Sequence, residues 1–90
     1  TKGALVNLTR ELALETAAEG IQVNALCPGF FRTETRPRNA AQEAAMVAYT
    51  PMRRIAEVGE IAGATLFLCS GASDFVTGTT LVIDGGVTAG

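Results

Sequence analysis

The chain has 90 residues, of which 48% are hydrophobic and 18% are charged, with 7 Lys and Arg against 9 Asp and Glu. This composition favours one small folded domain over a disordered chain, and a domain of this size buries only roughly 60–65% of its unfolded surface. The formal net charge of −2 excludes the basic surface that nucleic acids and anionic membranes require. We therefore expect a small-molecule or protein partner, with no nucleic acid and no membrane.

The cysteines and the absence of histidine bear on metals and on the compartment. The chain contains no histidine, and Cys27 and Cys69 are far apart, so the sequence predicts no metal site. Both cysteines lie in apolar runs, where a reduced, buried thiol is the simpler interpretation. No signal peptide and no apolar run of roughly 20 residues is present. We expect a soluble protein of the reducing cytoplasm.

The first predicted element is a helix from Lys2 to about Glu19, which Gly20 ends. Its apolar side chains cover more than half of a helical wheel, whereas a surface helix needs an apolar arc of only about 100°. We expect this helix to pack on two sides, for example against a sheet and a second subunit. The apolar positions are Ala4, Leu5, Val6, Leu8, Leu12, Ala13 and Ala17.

A strand is predicted next, from Ile21 to Leu26, with the weak alternation of a parallel strand covered on both faces. It runs into a Pro28-Gly29 turn, and the hydroxyl of Thr33 lies just beyond. Ligands of open α/β sheets bind at the carboxyl ends of strands, where a glycine lets the backbone approach a ligand. The turn is therefore a candidate ligand site, although Pro-Gly pairs also occur in plain turns.

A short helix is predicted from Ala40 to Tyr49, because Asn39 and Gln42 can form a capping box and Thr50-Pro51 can end the helix. A helix on two loops directly after a ligand-binding turn can close over a substrate. We interpret residues 31–50 as a substrate lid, with an ordinary surface connection as the alternative.

Three arginines precede this helix. Their guanidinium groups could bind a substrate carboxylate or phosphate, but small charge runs usually serve solubility, so a solvated loop is the simpler interpretation. The three are Arg32, Arg36 and Arg38.

A second helix is predicted from Glu57 to Ser70, and a last strand from Thr79 to Ile83. Asp84-Gly85-Gly86 ends this strand, and its glycines allow a tight turn. The order is therefore helix, strand, lid helix, helix and strand. Strands separated by helices in this way predict an α/β fold with parallel strands.

Together these motifs resemble the C-terminal part of a short-chain dehydrogenase/reductase. In the family a helix starts with a Tyr-x-x-x-Lys motif, and Thr1-Lys2-Gly3-Ala4-Leu5 is similar to the second half of this motif and the residues after it. The Pro28-Gly29 and Asp84-Gly85-Gly86 motifs match positions further along the family's sequence. The resemblance implies that residues 1–90 are the C-terminal portion of a single Rossmann-type domain with a doubly wound parallel sheet. The glycine-rich dinucleotide fingerprint, the catalytic serine and the tyrosine four residues before Lys2 lie outside these residues.

The resemblance also implies roles for individual residues. Lys2 would hold the nicotinamide ribose hydroxyls and lower the pKa of the family's tyrosine. The Pro28-Gly29 turn would face the nicotinamide, the backbone of Phe31 would bond the carboxamide, and the Thr33 hydroxyl would contact the carboxamide or pyrophosphate. Asp84 is mainly structural in the family and receives no catalytic role.

The function implied by the resemblance is interconversion of an alcohol and a carbonyl with NAD or NADP as cofactor, in a homodimer or homotetramer. The first helix and the last strand region would provide the contacts between subunits. The 90 residues alone are expected to be inactive. The alternative is a truncated, non-catalytic interaction or assembly module of the same fold.

Overall fold

The computed structural model describes residues 2–33 and 38–89, with only the backbone of Lys2. The described residues form three α-helices and four short strands. In chain order these are α1 (Lys2–Thr16), β1 (Ala25–Pro28), β2 (Phe31–Arg32), α2 (Ala40–Tyr49), β3 (Ala56–Glu57), α3 (Gly59–Cys69) and β4 (Thr80–Ile83), with 3-10 turns at Ala17–Glu19 and Gly71–Ser73.

The predicted first helix is confirmed, with its last turn tightened to a 3-10 turn before Gly20. Gly20 has φ +78°, a left-handed conformation that glycine adopts without strain. Thr9 and Ala13 are the buried positions of α1, which packs against β1. The leucines around the rest of α1 stay exposed, so packing of this helix on a second side remains a prediction.

Strands β1 and β4 pair in parallel, with Ala25 opposite Thr80 and Pro28 opposite Ile83. The two strands lie side by side although α2 and α3 separate them in sequence. Because parallel strands end at the same edge, the turn after β1 meets the turn after β4. The Gly29 N–H donates to the Ile83 carbonyl at 2.9 Å and extends the pairing into that edge.

The predicted bounds of the first strand were wrong, because β1 begins at Ala25 and includes Pro28. Side chains, together with one backbone bond from the Gly78 N–H to the Val23 carbonyl at 2.8 Å, bind residues 21–24 to the loop before β4. The Gln22 amide donates to the Val76 carbonyl at 2.7 Å, while Asn24 donates to that carbonyl and accepts from the Thr79 N–H, each at 3.1 Å. Such side-chain bonds to the backbone replace regular pairing.

Strands β2 and β3 form a second parallel pair that the sequence did not predict. Each is two residues long, too short for a period-two pattern to be visible. The second predicted helix begins at Gly59 and not at Glu57, because Glu57 belongs to β3. The Glu57 N–H donates to the carboxylate of Glu60 at 2.8 Å, which closes the first turn of α3.

Helix α2 has the predicted bounds and the predicted cap. The Gln42 N–H donates to the Asn39 side chain at 2.8 Å, and the Asn39 N–H donates to the Gln42 side chain at 3.1 Å. Thr50 ends the helix in an extended conformation (φ −90°, ψ 122°), as expected before a proline. Its N–H donates to the Met46 carbonyl at 3.1 Å.

The buried core is small. Among the residues that the structure describes, the buried hydrophobic ones are Ala13, Ala25 and Ile55, and only Ser73 is less than 2% exposed. The Ser73 hydroxyl donates to backbone carbonyls, which satisfies it. Among the helices described, none combines the length and the apolar character that a bilayer crossing needs.

Candidate functional site

An open cleft of about 380 Å³ lies at the carboxyl end of β1. This is the edge of a parallel sheet at which α/β proteins bind ligands. Four of the five predicted site residues line this one cleft. The lining residues are Pro28, Gly29, Phe31, Thr33, Arg38, Val58 and Ile61.

Gly29 brings the end of β1 close to the end of β4. A Cβ at this position would lie 2.7 Å from both Cα and Cβ of Asp84. The sequence predicts that this glycine allows close approach of a ligand. The structure shows close approach of the chain to itself, because Asp84, directly after β4, fills the space where a side chain would stand.

The Phe31 backbone faces away from β3. The Ala56 N–H donates to the Phe30 carbonyl at 3.1 Å, and in a parallel pair the groups of the next residue then point to the opposite side. The Phe31 carbonyl accepts from the Arg38 guanidinium at 3.2 Å. The Phe31 N–H therefore remains as the backbone donor on the cleft side.

Arg38 has a positioning role that sequence reasoning missed. The sequence predicts an anion ligand or a solvated loop residue at this position, whereas Arg38 is half-buried, lines the cleft and donates a hydrogen bond to the Phe31 carbonyl. The bond joins side chain to backbone across seven residues, so no local motif reveals it.

Thr33 lines the cleft and is exposed to solvent. It also lines a neighbouring cleft of about 570 Å³ beside the start of α3, together with Arg32, Glu57, Val58 and Gly59. A hydroxyl group donates and accepts hydrogen bonds. Thr33 can therefore contact a ligand that extends from one cleft into the other.

Arg32 forms ion pairs within the chain. Its guanidinium lies 2.6 Å from the Glu43 carboxylate and 3.3 Å from that of Glu57. These contacts connect β2 to α2 and to β3, and two carboxylates offset the positive charge. Arg32 thus has a structural role, while Arg36 lies outside the described residues.

The Asp84 carboxylate is occupied within the turn after β4. It accepts from the Thr88 hydroxyl at 2.7 Å, the Gly86 N–H at 2.9 Å and the Thr88 N–H at 3.1 Å. The Thr88 hydroxyl is the main cause that holds the pKa of Asp84 below its usual range. Gly85 and Gly86 have φ of +63° and +98°, which supports the predicted role of both glycines in a tight turn.

The remaining predicted residues are Lys2 and the two cysteines. The backbone of Lys2 begins α1, but its side chain lies outside the description, so its role stays a prediction. Cys27 is half-buried in β1, and Cys69 is exposed at the end of α3; the expectation of a buried thiol was wrong for Cys69. Over residues 2–33 and 38–89, no three His, Cys, Asp or Glu side chains are grouped as metal ligands.

The fold is that of an α/β protein, and the cleft lies at the carboxyl edge of its parallel strands. A family model described as enoyl-(acyl carrier protein) reductase matches residues 1–88. Gluconate 5-dehydrogenase of Gluconobacter oxydans is 44% identical over 91 residues, which cover 98% of this chain and 36% of that protein. The chain belongs to the short-chain dehydrogenase/reductase family.

Solved structures confirm the Rossmann-type fold. Gluconate 5-dehydrogenase of Burkholderia cenocepacia, in complex with NADP and tartrate, has a TM-score of 0.89 at 43% identity over 99% of this chain and 36% of that one. A 4-hydroxyisoleucine dehydrogenase complexed with NADH has a TM-score of 0.89 at 34% identity, over 99% and 38% of the two chains. The chain thus spans a little over a third of the length of these relatives.

Proposed function

We propose that these residues form the nicotinamide side of the site in an NAD(P)-dependent oxidoreductase that interconverts an alcohol and a carbonyl. The observation that carries the proposal is the single cleft lined by Pro28, Gly29, Phe31 and Thr33 at the carboxyl end of β1. Solved relatives of the same fold are complexes with NADP and with NADH. Because those relatives are nearly three times as long, the active subunit of the proposal is a longer chain with these residues as its C-terminal part.

The groups in the cleft fit a nicotinamide. A carboxamide offers one acceptor and two donors, and the Phe31 N–H and the Thr33 hydroxyl can meet both kinds of group. Pro28, Val58 and Ile61 provide apolar walls for the flat ring. The cofactor, when bound, takes up or supplies a hydride.

The chemistry of the proposal is a balanced hydride and proton transfer. In oxidation, the alcohol carbon gives a hydride to the oxidised cofactor and the hydroxyl gives its proton to a base, while reduction reverses both transfers. The base would be the tyrosine that the family places four residues before Lys2. The Lys2 ammonium would lower the pKa of this tyrosine and bind the ribose hydroxyls.

Replacement of Lys2 in the complete subunit tests the proposal. We expect Lys2→Met to reduce kcat by about a hundredfold or more, because both the tyrosine activation and the ribose contact are lost. The pH dependence of kcat should move to higher pH, since the pKa of the tyrosine is no longer lowered. Arg10→Met, which removes another cation from α1, is the matched control and should leave kcat unchanged. Turnover near that of the wild type in Lys2→Met would remove Lys2 from the mechanism.

A non-catalytic assembly module is the second candidate function. The observation in its favour is the exposed apolar surface of α1, where Leu5, Leu8, Leu12 and Leu14 are between 39% and 82% exposed. Titration with NADH and NADPH distinguishes the two functions when it is carried out on the longest natural protein that contains these residues. An oxidoreductase binds one of the cofactors, whereas a module that only assembles binds neither.

A further inference from the structure

One charged side chain lines the cleft of about 380 Å³ at the carboxyl end of β1, which we call the cofactor cleft. Among the described residues that line it, Arg38 is the only charged one, and the others are apolar residues, a glycine and a threonine. Arg38 is half-buried. Because an arginine side chain keeps its proton in proteins, the cofactor cleft carries a permanent positive charge.

A hydrogen bond fixes the position of this charge. The Arg38 guanidinium donates to the Phe31 carbonyl at 3.2 Å. Phe31 belongs to β2, which pairs with β3, so the acceptor is part of a paired backbone and not of a mobile side chain. Asn39, the next residue along the chain, caps α2. The charge is therefore held between two regular elements, beside the Phe31 backbone that lines the cofactor cleft.

The acidic side chains of the surrounding elements are paired with other arginines. Glu43 of α2 and Glu57 of β3 lie 2.6 Å and 3.3 Å from the guanidinium of Arg32. Glu60, at the start of α3, lies 2.6 Å from that of Arg54. In the part of the chain that the structure describes, these three carboxylates do not form ion pairs with the guanidinium in the cofactor cleft.

A permanent positive charge distinguishes the two oxidation states of a nicotinamide. The oxidised ring carries one positive charge, whereas the reduced ring is neutral. In the proposed oxidation, the alcohol carbon gives a hydride to the oxidised ring and the hydroxyl gives its proton to a base, which yields the carbonyl compound and the reduced ring. A like charge in the same cleft raises the free energy of the oxidised complex and has little effect on the reduced complex.

We propose that Arg38 sets the preference of the site for the reduced cofactor over the oxidised cofactor. The proposal rests on the proposed function and adds a residue to it. The hydrogen bond of Arg38 positions the Phe31 backbone for the carboxamide, and the charge of Arg38 disfavours the oxidised ring. The bound oxidised cofactor is then a stronger hydride acceptor than the free one, which favours oxidation of the alcohol in the site.

Cofactor titrations of the complete subunit test the effect of the charge. Arg38→Gln keeps an N–H donor for the Phe31 carbonyl and removes the charge, whereas Arg38→Lys keeps the charge. We expect the ratio of the Kd of the oxidised cofactor to that of the reduced cofactor to fall about three- to tenfold in Arg38→Gln. A tenfold fall lowers the reduction potential of the bound cofactor by about 30 mV. The ratio in Arg38→Lys should stay close to that of the wild type. An unchanged ratio in Arg38→Gln, or an equal fall in Arg38→Lys, would overturn the proposal.

ADP-ribose, which lacks the nicotinamide, separates this effect from a general loss of structure. We expect its Kd to be the same in the wild type and in all variants of Arg38. Arg38→Met, which loses the donor as well as the charge, should raise the Kd of the reduced cofactor more than Arg38→Gln does. Arg10→Met removes a cation from α1 and should change none of these constants. Parallel weakening of ADP-ribose and both cofactor forms at a constant ratio would show that Arg38 acts only on the structure, and would overturn the proposal.

Failure of the proposed function gives a different result. A complete subunit that binds neither NAD nor NADP in either oxidation state would refute the oxidoreductase, and the role of Arg38 with it. Tight cofactor binding with a ratio that does not depend on the charge at Arg38 would refute the role of Arg38 alone.

Discussion

At the scale of single residues, Gly29 allows the ends of β1 and β4 to lie close together at the edge of the sheet where the candidate site lies. Its missing Cβ lets Asp84 approach, and its N–H extends the pairing of β1 with β4. The close neighbours are the Cα and Cβ atoms of Asp84, which cannot move aside without the backbone, as the end of a flexible side chain can. A larger residue would therefore push the two strand ends apart.

We expect Gly29→Ala to destabilise the fold by about 1–3 kcal/mol, since the added methyl overpacks a contact of 2.7 Å. The cleft lined by Phe31 and Thr33 should lose its geometry as well, which would weaken cofactor binding by the complete subunit. Urea unfolding and a cofactor titration measure the two effects.

Gly63→Ala is the matched control for Gly29→Ala. Gly63 lies inside α3, and nothing described lies within 4 Å of an added Cβ. We expect this variant to be more stable by about 0.5–1 kcal/mol, because alanine loses less conformational entropy than glycine in a helix. Equal effects of the two substitutions would show that the contact with Asp84 does not constrain the turn.

Glu60 joins the loop before β3 to the start of α3. Its carboxylate accepts two hydrogen bonds from Arg54, at 2.6 and 2.8 Å, and one from the Glu57 N–H. These bonds lower the pKa of Glu60 from its ordinary 4.5 to about 2. The largest cause is the hydrogen bonding to Arg54, followed by the hydrogen bond from the Glu57 N–H. The side chains are exposed, so solvent screens the pair and its effect on stability is small.

The lowered pKa of Glu60 predicts a pH dependence of stability. The folded state holds the Glu60 carboxylate ionised. The contribution of Glu60 to the free energy of unfolding is therefore complete above pH 4.5 and is lost as the pH falls towards 2. We expect Glu60→Gln to have a slightly lower Tm than the wild type at neutral pH, and the two Tm values to converge near pH 2. Glu15→Gln, which removes an exposed carboxylate of α1, is the control for the loss of one negative charge. A Tm difference that is constant with pH would contradict the assignment.

At the scale of elements, the carboxyl end of α2 is anchored to the turn after β4. The Met52 N–H donates to the Gly85 carbonyl at 3.1 Å, and a Cβ at Gly85 would lie 2.8 Å from Cγ2 of Thr50. Thr50 itself is buried. The start of α2 is held by its own capping box and by the exposed Arg32–Glu43 pair. Contacts with a segment distant in sequence therefore hold the end of α2 near Thr50, whereas its start is held by contacts with residues closer in sequence.

We expect the segment from Phe31 to Tyr49 to be more protected from hydrogen exchange when cofactor or substrate is bound to the complete subunit. A helix of ten residues is too short to be stable alone, and a bound ligand would add contacts along it. The amides of β1 and β4 serve as internal control, because their ladder is formed in both states. Equal protection of the segment with and without ligand would count against a lid.

At the scale of the whole molecule, the chain exposes more surface than its mass requires. Its accessible surface is 6349 Å², whereas a compact monomer of 9.3 kDa has about 5,000 Å². Its radius of gyration is 15.4 Å, against about 12 Å for a compact domain of this length. The large exposed hydrophobic side chains are Leu5, Leu8, Leu12, Leu14, Ile21, Tyr49, Met52, Val58, Leu66, Phe67, Phe75 and Val82.

We expect the isolated 90 residues to self-associate or unfold in part, and to bind NADH and NADPH weakly. Each sheet of the described residues has two strands, which leaves edges open next to apolar helix faces. A Rossmann-type sheet also holds the pyrophosphate at a glycine-rich turn that these residues do not contain. Light scattering and calorimetric titration are the measurements. A monodisperse monomer with micromolar affinity for either cofactor would refute this expectation.

Local patterns in the sequence determined the helices and the tight turns. Asn39 and Gln42 specify the start of α2, the Thr50-Pro51 pair specifies its end, and Gly20 specifies the end of the first helix, because each acts through bonds or conformations within a few residues. The candidate ligand turn at Pro28-Gly29 was also found in this way. Its assignment to a cofactor came from resemblance to a family and not from local physics.

Contacts between distant segments decided the rest. The sequence did not predict the pairing of β2 with β3, the start of β1 at Ala25, or the hydrogen bond from Arg38 to the Phe31 carbonyl. Each depends on which loops the fold brings together. A short stretch of sequence does not determine the free energy of such contacts, because the partner residues lie elsewhere in the chain. Tertiary structure alone also showed that Gly29 makes room for Asp84 and that Phe30 and α2 enclose an apolar cleft, because both results require β4 and α2 in their final positions.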